Sequence, residues 1–160
     1  MRALDQIARE SARTKRGFAV MLADLDHFKT INDDHGHASG DHVLTQAAER
    51  LRSALGPRGF VARIGGEEFM IGVPDVSPKQ AVRLAETLCG SICSAPFQLS
   101  EQGPEVNVTV SIGLKMSLDA FPGRDSLTPH VETLIQSADK ALYSAKKAGR
   151  NQVSIRQSAA

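Results

Sequence analysis

At 160 residues the chain is long enough for one domain with a real hydrophobic core. Nineteen basic against eighteen acidic residues leave a formal net charge of +1, so no overall field advertises a nucleic-acid or membrane partner. A hydrophobic share of 41%, no apolar run long enough to span a bilayer and no visible signal peptide are those of a soluble globular protein.

Residues 1–16 read as a polar helix with Leu4, Ile7 and Ala8 on one face and Arg13, Lys15 and Arg16 at its end. Phe18–Ala23 is an unbroken apolar run closed by Asp24, the pattern of a strand buried on both faces. Asp24 therefore falls at a strand's carboxyl end, where open α/β sheets place their ligands. Residues 26–34 read as a helical turn and a loop, and Ser39 as the cap of the next helix. Along that helix Val43, Leu44, Ala47, Ala48, Leu51 and Leu55 recur at helical spacing until Gly56-Pro57-Arg58-Gly59 breaks it.

Two strand-like runs then flank Gly65-Gly66, the signal for a tight two-residue hairpin whose central residues need positive φ. Glu67 and Glu68 follow at once. On a strand they point to opposite faces, so both cannot do the same job at one ligand. A hairpin tip with bare backbone and a carboxylate beside it suits a polyphosphate with its metal. Alone, the same four residues read more readily as a solvated hairpin with two surface glutamates. The upstream acidic cluster Asp24-Leu25-Asp26-His27-Phe28-Lys29 shifts the balance toward the ligand site.

Ser77-Pro78-Lys79-Gln80 is a capping box with Pro at the first helical position. The helix it opens turns Ala81, Leu84, Ala85, Leu88 and Ile92 inward and stops before Pro96. Cys89 and Cys93, four apart on this helix, have poor geometry for a disulfide and read as small buried thiols of a reducing compartment. Val106–Gly113 alternates strictly, as a strand with one solvated or ligand-facing side does. Residues 117–129 form an irregular loop around Pro122, Gly123 and Pro129. Val131, Leu134, Ile135, Ala138, Leu142 and Ala145 mark a last long helix closed by Gly149, and Val153-Ser154-Ile155 adds a short strand. Strand, helix, hairpin, helix, strand, helix is an α/β layout with a mixed sheet.

Gly65-Gly66-Glu67-Glu68-Phe69 resembles the signature of the GGDEF-domain diguanylate cyclases, in the form with Glu at the third position. The resemblance covers nearly the whole chain. It runs through Asp24-x-Asp26-x-Phe28-Lys29-x-x-Asn32-Asp33, Gly36-His37 with Gly40-Asp41, and Ala145-Lys146-x-x-Gly149-Arg150-Asn151. It implies one such domain over residues 1–156, with 157–160 a frayed end. It also implies a ferredoxin-like core related to the palm of class III nucleotidyl cyclases, with the active site at the hairpin. The wide turn and the sensor or dimerising segment that precede the domain in other members are missing from this chain. The implied reaction joins two GTP into cyclic di-GMP and two pyrophosphates with Mg²⁺, for which Mn²⁺ can substitute. Each domain holds one GTP, so two must face each other across a two-fold axis. The implied setting is cytoplasmic, alone or as the cytoplasmic part of a larger sensor, with no contact to nucleic acid or membrane.

Nucleotidyl transfer needs a deprotonated 3′-hydroxyl, in-line attack on an α-phosphate and neutralisation of pyrophosphate charge. A hard, octahedral Mg²⁺ shared between a few carboxylates and substrate phosphates suits it. Asp24 and Glu67, one from each acidic cluster, are the candidate ligands, and by resemblance the main-chain carbonyl of Leu25 completes the protein side. Glu67 is also the family's general base, although a carboxylate between metal ions keeps a low basicity, so proton abstraction and metal activation both stay open. Glu68 and Asp26 stand either as metal-adjacent or transition-state contacts, or as makers of local structural hydrogen bonds.

By resemblance Lys29 neutralises triphosphate charge. Lys146 and Arg150, one helical turn apart, lie on one face near the helix end; by resemblance they bind phosphate, and the alternative for the pair is a charge cluster favourable at a helix C-terminus. Lys147 points elsewhere. Asn32 and Asp41 match the residues that read the guanine N1–H and N2–H₂ edge, His37 closes that pocket, and Phe28, Gly65 and Gly66 line the substrate site. His35 and His37 have no cysteine near them and make no zinc site. The inhibitory Arg-x-x-Asp of many members is replaced by Gly56-Pro57-Arg58-Gly59, so no inhibitory product site is expected and product competes at the active site. The chief alternative is a non-catalytic receptor for GTP or cyclic di-GMP, against which intact Asp24, Lys29, Glu67 and Glu68 argue. A mononucleotide cyclase or polymerase-like enzyme is more distant, disfavoured by Asn32 and Asp41.

Overall fold

Phe18–Leu25, here β1, is buried at all eight positions and forms the centre of the sheet. The computed structural model describes residues 2–117 and 127–156. In chain order its elements are α1 (Arg2–Thr14), β1, α2 (Phe28–Leu55), a 3₁₀ turn (Gly56–Arg58), β2 (Phe60–Arg63), β3 (Glu68–Pro74) and α3 (Pro78–Cys93). There follow β4 (Phe97–Gln98), β5 (Glu105–Val106), β6 (Val110–Ser117), α4 (Leu127–Lys147) and β7 (Val153–Arg156). The main sheet runs β2-β3-β1-β6-β7, antiparallel except for the parallel pair β6–β7, and β4–β5 is a separate ribbon. A β2-β3-β1-β6 order with one helix after β1 and another after β3 is the expected ferredoxin-like, palm-type core.

The unbroken apolar run of β1 has a simple cause. Side chains alternate across a strand, and both faces of this one are covered. Ala19, Met21, Ala23 and Leu25 enter a core with α2 and α3, while Phe18, Val20 and Leu22 enter a second with Leu4 and Ala8 of α1 and Val131, Leu134, Ala138 and Leu142 of α4. On β6, Gly113 lets α4 approach directly. A Cβ there would collide with the Ala138 carbonyl and the Leu142 nitrogen and lie 2.8 Å from Leu142 Cα. The capping box of α3 forms as expected, with the Ser77 hydroxyl accepting from Gln80 N–H and the Gln80 side chain accepting from Ser77 N–H.

Several expectations need correction. Ser39 caps nothing: α2 starts at Phe28 and continues through a break at Gly36 (φ 80, ψ 161), so Ser39 lies inside the helix. Its first half reads as loop because only Phe28 and Ile31 turn inward; the polar residues around them coat the solvent face. The hairpin is wider than two residues. Ile64 N–H donates to the Glu68 carbonyl at 2.9 Å, leaving Gly65-Gly66-Glu67 to span the turn. Neither glycine has a left-handed φ; instead Arg63 Nε donates to the Gly65 and Gly66 carbonyls at 3.1 and 2.9 Å and braces the wider loop.

The strand expected over 106–113 is two: Val106 pairs with Phe97 in the ribbon, and β6 begins at Val110. All of β6 but Lys115 is buried, because α3 covers one face and α4 the other. Cys89 is buried, and that burial pushes its thiol up to about 11; Cys93 is exposed, contrary to expectation, because it sits on the outer face of the last turn of α3. The loop expected over 117–129 ends by Leu127, where α4 starts; its middle, and the frayed end expected at 157–160, lie outside the described residues.

Candidate active site at the carboxyl end of the central strand

In the antiparallel register Asp24 sits opposite Glu68 on one side and Ser111 on the other. Directly opposed residues share a face, so Asp24 and Glu68 both look toward α4. Glu68 is exposed, and its Oε2 lies over Gly65, where an added Cβ would approach it to 2.6 Å. Leu25 N–H donates to the Glu67 carbonyl at 3.3 Å, which stitches the Gly65-Gly66-Glu67 loop onto the end of β1. The three residues expected around a metal, Asp24, Leu25 and Glu67, are thus brought together by one backbone bond.

Asp24 is only 6% exposed, and Lys146 Nζ stands 2.7 Å from its Oδ2. A carboxylate that far from water needs a cationic partner, and here α4, seated on Gly113, delivers one. The donors expected here are hard oxygens: the Asp24 and Glu67 carboxylates and the main-chain carbonyl of Leu25. That set fits Mg²⁺, which keeps several waters and takes further oxygens from substrate phosphates. Among the described residues, no group of three or more His, Cys, Asp or Glu side chains is placed to hold a metal ion.

Lys29 projects from the exposed first turn of α2, one residue past the buried Phe28. The break at Gly36 turns the helix so that Gly40 meets Asn32. A Cβ at Gly40 would collide with Asn32 Oδ1 and lie 3.1 Å from Phe28 Cζ. Asp41 follows directly and is exposed, as is His37 beside the break. The structure therefore brings the Asn32 side chain to Gly40, next to Asp41 in the chain.

Arg150 is not on the same helical face as Lys146, as the spacing suggested, because α4 ends at Lys147. Arg150 lies beyond it in a left-handed turn, with Gly149 at φ 116, Arg150 at 64 and Asn151 at 46. Lys147 turns aside and lies over the Tyr143 ring, 4.7 Å from its centroid.

Asp26 is 5% exposed and fully engaged. Its Oδ2 accepts from Thr109 Oγ1 (2.7 Å) and Asn151 N–H (3.0 Å), and its Oδ1 from Ser111 Oγ (2.7 Å). Of the two roles left open for it, structural hydrogen bonding is the one observed. Thr109 and Ser111 are the site neighbours that sequence reasoning missed, and hydroxyl residues alternating into an otherwise apolar stretch are their only signal. Asn151 stands in the last motif, which gave it no role.

At the sequence break before β2, Arg58 Nε and Nη2 donate to the Leu55 and Ala54 carbonyls (2.9 and 2.8 Å), capping the end of α2. A Cβ at Gly59 would collide with the Gly72 carbonyl, so no side chain is accommodated there.

The family model for "Diguanylate cyclase, GGDEF domain" matches residues 2–152. The chain belongs to the GGDEF family. Among curated relatives, it is 40% identical over 148 residues to the bifunctional diguanylate cyclase/cyclic di-GMP phosphodiesterase MucR of Pseudomonas aeruginosa, covering 92% of this chain and 20% of that one. Among solved structures, the GGDEF domain of PA1120 (YfiN or TpbB) from Pseudomonas aeruginosa superposes with a TM-score of 0.84 at 32% identity, covering 98% of this chain and 92% of that one. The GGDEF domain of DgcB from Caulobacter crescentus, solved in complex with c-di-GMP, gives 0.82 at 29% identity, covering 95% and 85%. This GGDEF domain spans less than half the length of the curated relatives it matches. No helix among its described residues is long and apolar enough to cross a membrane.

Proposed function

We propose that residues 1–156 form the catalytic domain of a diguanylate cyclase. In this reading two GTP become cyclic di-GMP and two pyrophosphates, with Mg²⁺ held by Asp24, Glu67 and the Leu25 carbonyl. The observation that carries it is the convergence of Asp24, Leu25 and the Glu67 loop at the end of β1, with Lys146 on the buried Asp24. Bound there, Mg²⁺ supplies Lewis-acid polarisation of the α-phosphate and eases ionisation of the 3′-hydroxyl.

The chain's own groups do the rest. Glu67 accepts the 3′-hydroxyl proton. Lys29, at the exposed start of α2, faces the triphosphate and stabilises the charge that develops on it. Lys146 and Arg150 hold phosphate oxygens. Asn32 and Asp41 accept from the guanine N1–H and N2–H₂, and His37 closes that pocket. Phe28, which flanks Gly40 as Asn32 does, lines the substrate site, while Gly65 and Gly66 leave room for the nucleotide over the loop. Because each site holds one GTP, bond formation needs a second copy facing the first.

Product inhibition in this reading occurs at the active site. Arg58 is spent on the end of α2 and Gly59 has no room for an acceptor side chain, so the usual remote arginine–aspartate pair is absent. Drawing on GTP sets the domain in the cytoplasm, by itself or within a larger protein. The test is incubation with GTP, with and without Mg²⁺, and chromatography against authentic cyclic di-GMP. Metal-dependent formation of cyclic di-GMP is expected. GTP bound but returned unchanged would leave the domain a receptor.

A further inference from the structure

We propose that Asp26 is a positioning residue: its carboxylate holds the left-handed turn after α4, and so fixes where Arg150 stands beside the carboxyl end of β1. Arg150 and Asn151 are consecutive non-glycine residues at φ 64 and 46. L-residues adopt that conformation only where their surroundings hold it. Two ties do so. Arg150 N–H donates to the Ala145 carbonyl (3.1 Å), the last inward residue of α4, and Asn151 N–H donates to Asp26 Oδ2 (3.0 Å). The peptides on both sides of Arg150 are thereby pinned.

Asp26 is itself locked. Thr109 Oγ1 and Ser111 Oγ each donate to it at 2.7 Å, and its own N–H donates to the Thr109 carbonyl at 2.9 Å. One buried carboxylate thus ties together the chain after β1, the entry to β6 and the turn carrying Arg150. Its oxygens receive three protein donors, the arrangement of an anchor and not of a group facing a substrate.

The hydrogen-bond inventory makes this separable from any role for the negative charge. An asparagine at position 26 can keep its amide oxygen on Asn151 N–H and Thr109 Oγ1 and turn its amide nitrogen toward Ser111 Oγ, which accepts as well as donates. Asp26→Asn therefore preserves every contact and removes only the charge. Asp26→Ala removes the contacts too.

The inference rests on the reading of Arg150 as a triphosphate contact, and the experiment keeps the two apart. The probe is a non-reacting α,β-methylene analogue of GTP, titrated by calorimetry with Mg²⁺ present. Amide exchange at Asn151 is followed in parallel by NMR on the unliganded protein. Arg150→Ala and Asp26→Ala are each expected to weaken binding about ten-fold, the size of one lost charge-assisted contact, with little further loss in the double variant. Asp26→Asn is expected to bind within about two-fold of the parent and to keep Asn151 protected, whereas Asp26→Ala exposes it to exchange.

If Arg150→Ala weakens binding and Asp26→Ala does not, the positioning role is overturned. If Asp26→Asn loses binding as Asp26→Ala does while Asn151 stays protected, Asp26 acts through its charge and the proposal also fails. If Arg150→Ala binds normally, the phosphate reading fails instead, and Asn151 exchange alone decides whether Asp26 holds the turn. Asp26→Asn keeps the test decisive even if Asp26→Ala does not fold.

Discussion

Gly113→Ala tests how packing reaches the site. The added methyl would collide with two backbone atoms of α4 and lie 2.8 Å from Leu142 Cα, where ordinary contact begins at 3.4 Å. Helix and strand must therefore separate by at least about 0.6 Å at Leu142, and by more at the Ala138 carbonyl. Backbone cannot rotate away as a side chain can, so overpacking here costs about 2–3 kcal/mol. For a domain of this size that lowers Tm by about 4–12 °C. Lys146 lies one helical turn past Leu142, so the shift also draws its ammonium from the Asp24 carboxylate, 2.7 Å away. Melting followed by circular dichroism and turnover of GTP with Mg²⁺ read the two effects. A variant that melts within about a degree of the parent and turns over normally would refute the argument that direct α4–β6 contact sets the site.

Glu67→Gln is expected to keep the fold and GTP binding but lose nearly all turnover, because the metal site loses a charge; near-normal cyclic di-GMP synthesis would sink its assignment. Asn32→Ala or Asp41→Ala leaves guanine donors unpaired at a cost of about 1–3 kcal/mol each, so titration should show weaker GTP binding, and unchanged affinity in the double variant puts the pocket elsewhere. With Cys89 buried and raised to about 11, and Cys93 exposed, a thiol reagent near pH 8 should modify one site quickly. The same shift fixes a sign: an unfolded chain ionises Cys89 near its ordinary 9.0, so stability falls as pH rises from there toward 11. A flat melting temperature across that window in the Cys93→Ser variant, compared with Cys89→Ala in the same background, would contradict it.

Most of the scaffold was readable where burial dictates residue type. The apolar run of β1, the Ser77 capping box and the inward residues of α3 and α4 are local patterns with one physical solution. The first half of α2 was not, because two inward residues, Phe28 and Ile31, carry no visible period among eight. The turn at Gly65-Gly66 was misjudged because Arg63 braces it from outside the loop, a long-side-chain contact that turn rules omit. At the site, the motifs named Asp24, Glu67, Asn32 and Asp41, and the fold brings the groups of each cluster together. The partners of Asp26 were hidden since they lie 83, 85 and 125 residues away, joined only by tertiary structure.

The most direct test of the account is the rate of cyclic di-GMP formation per domain, measured across protein concentration at saturating GTP and Mg²⁺. One site holds one GTP in this reading, so the specific rate should rise with concentration and rise further when a parallel coiled coil fused before Met1 raises the effective concentration of the partner. Product formed at a specific rate that stays flat on dilution, with and without the fusion, would contradict two facing half-sites.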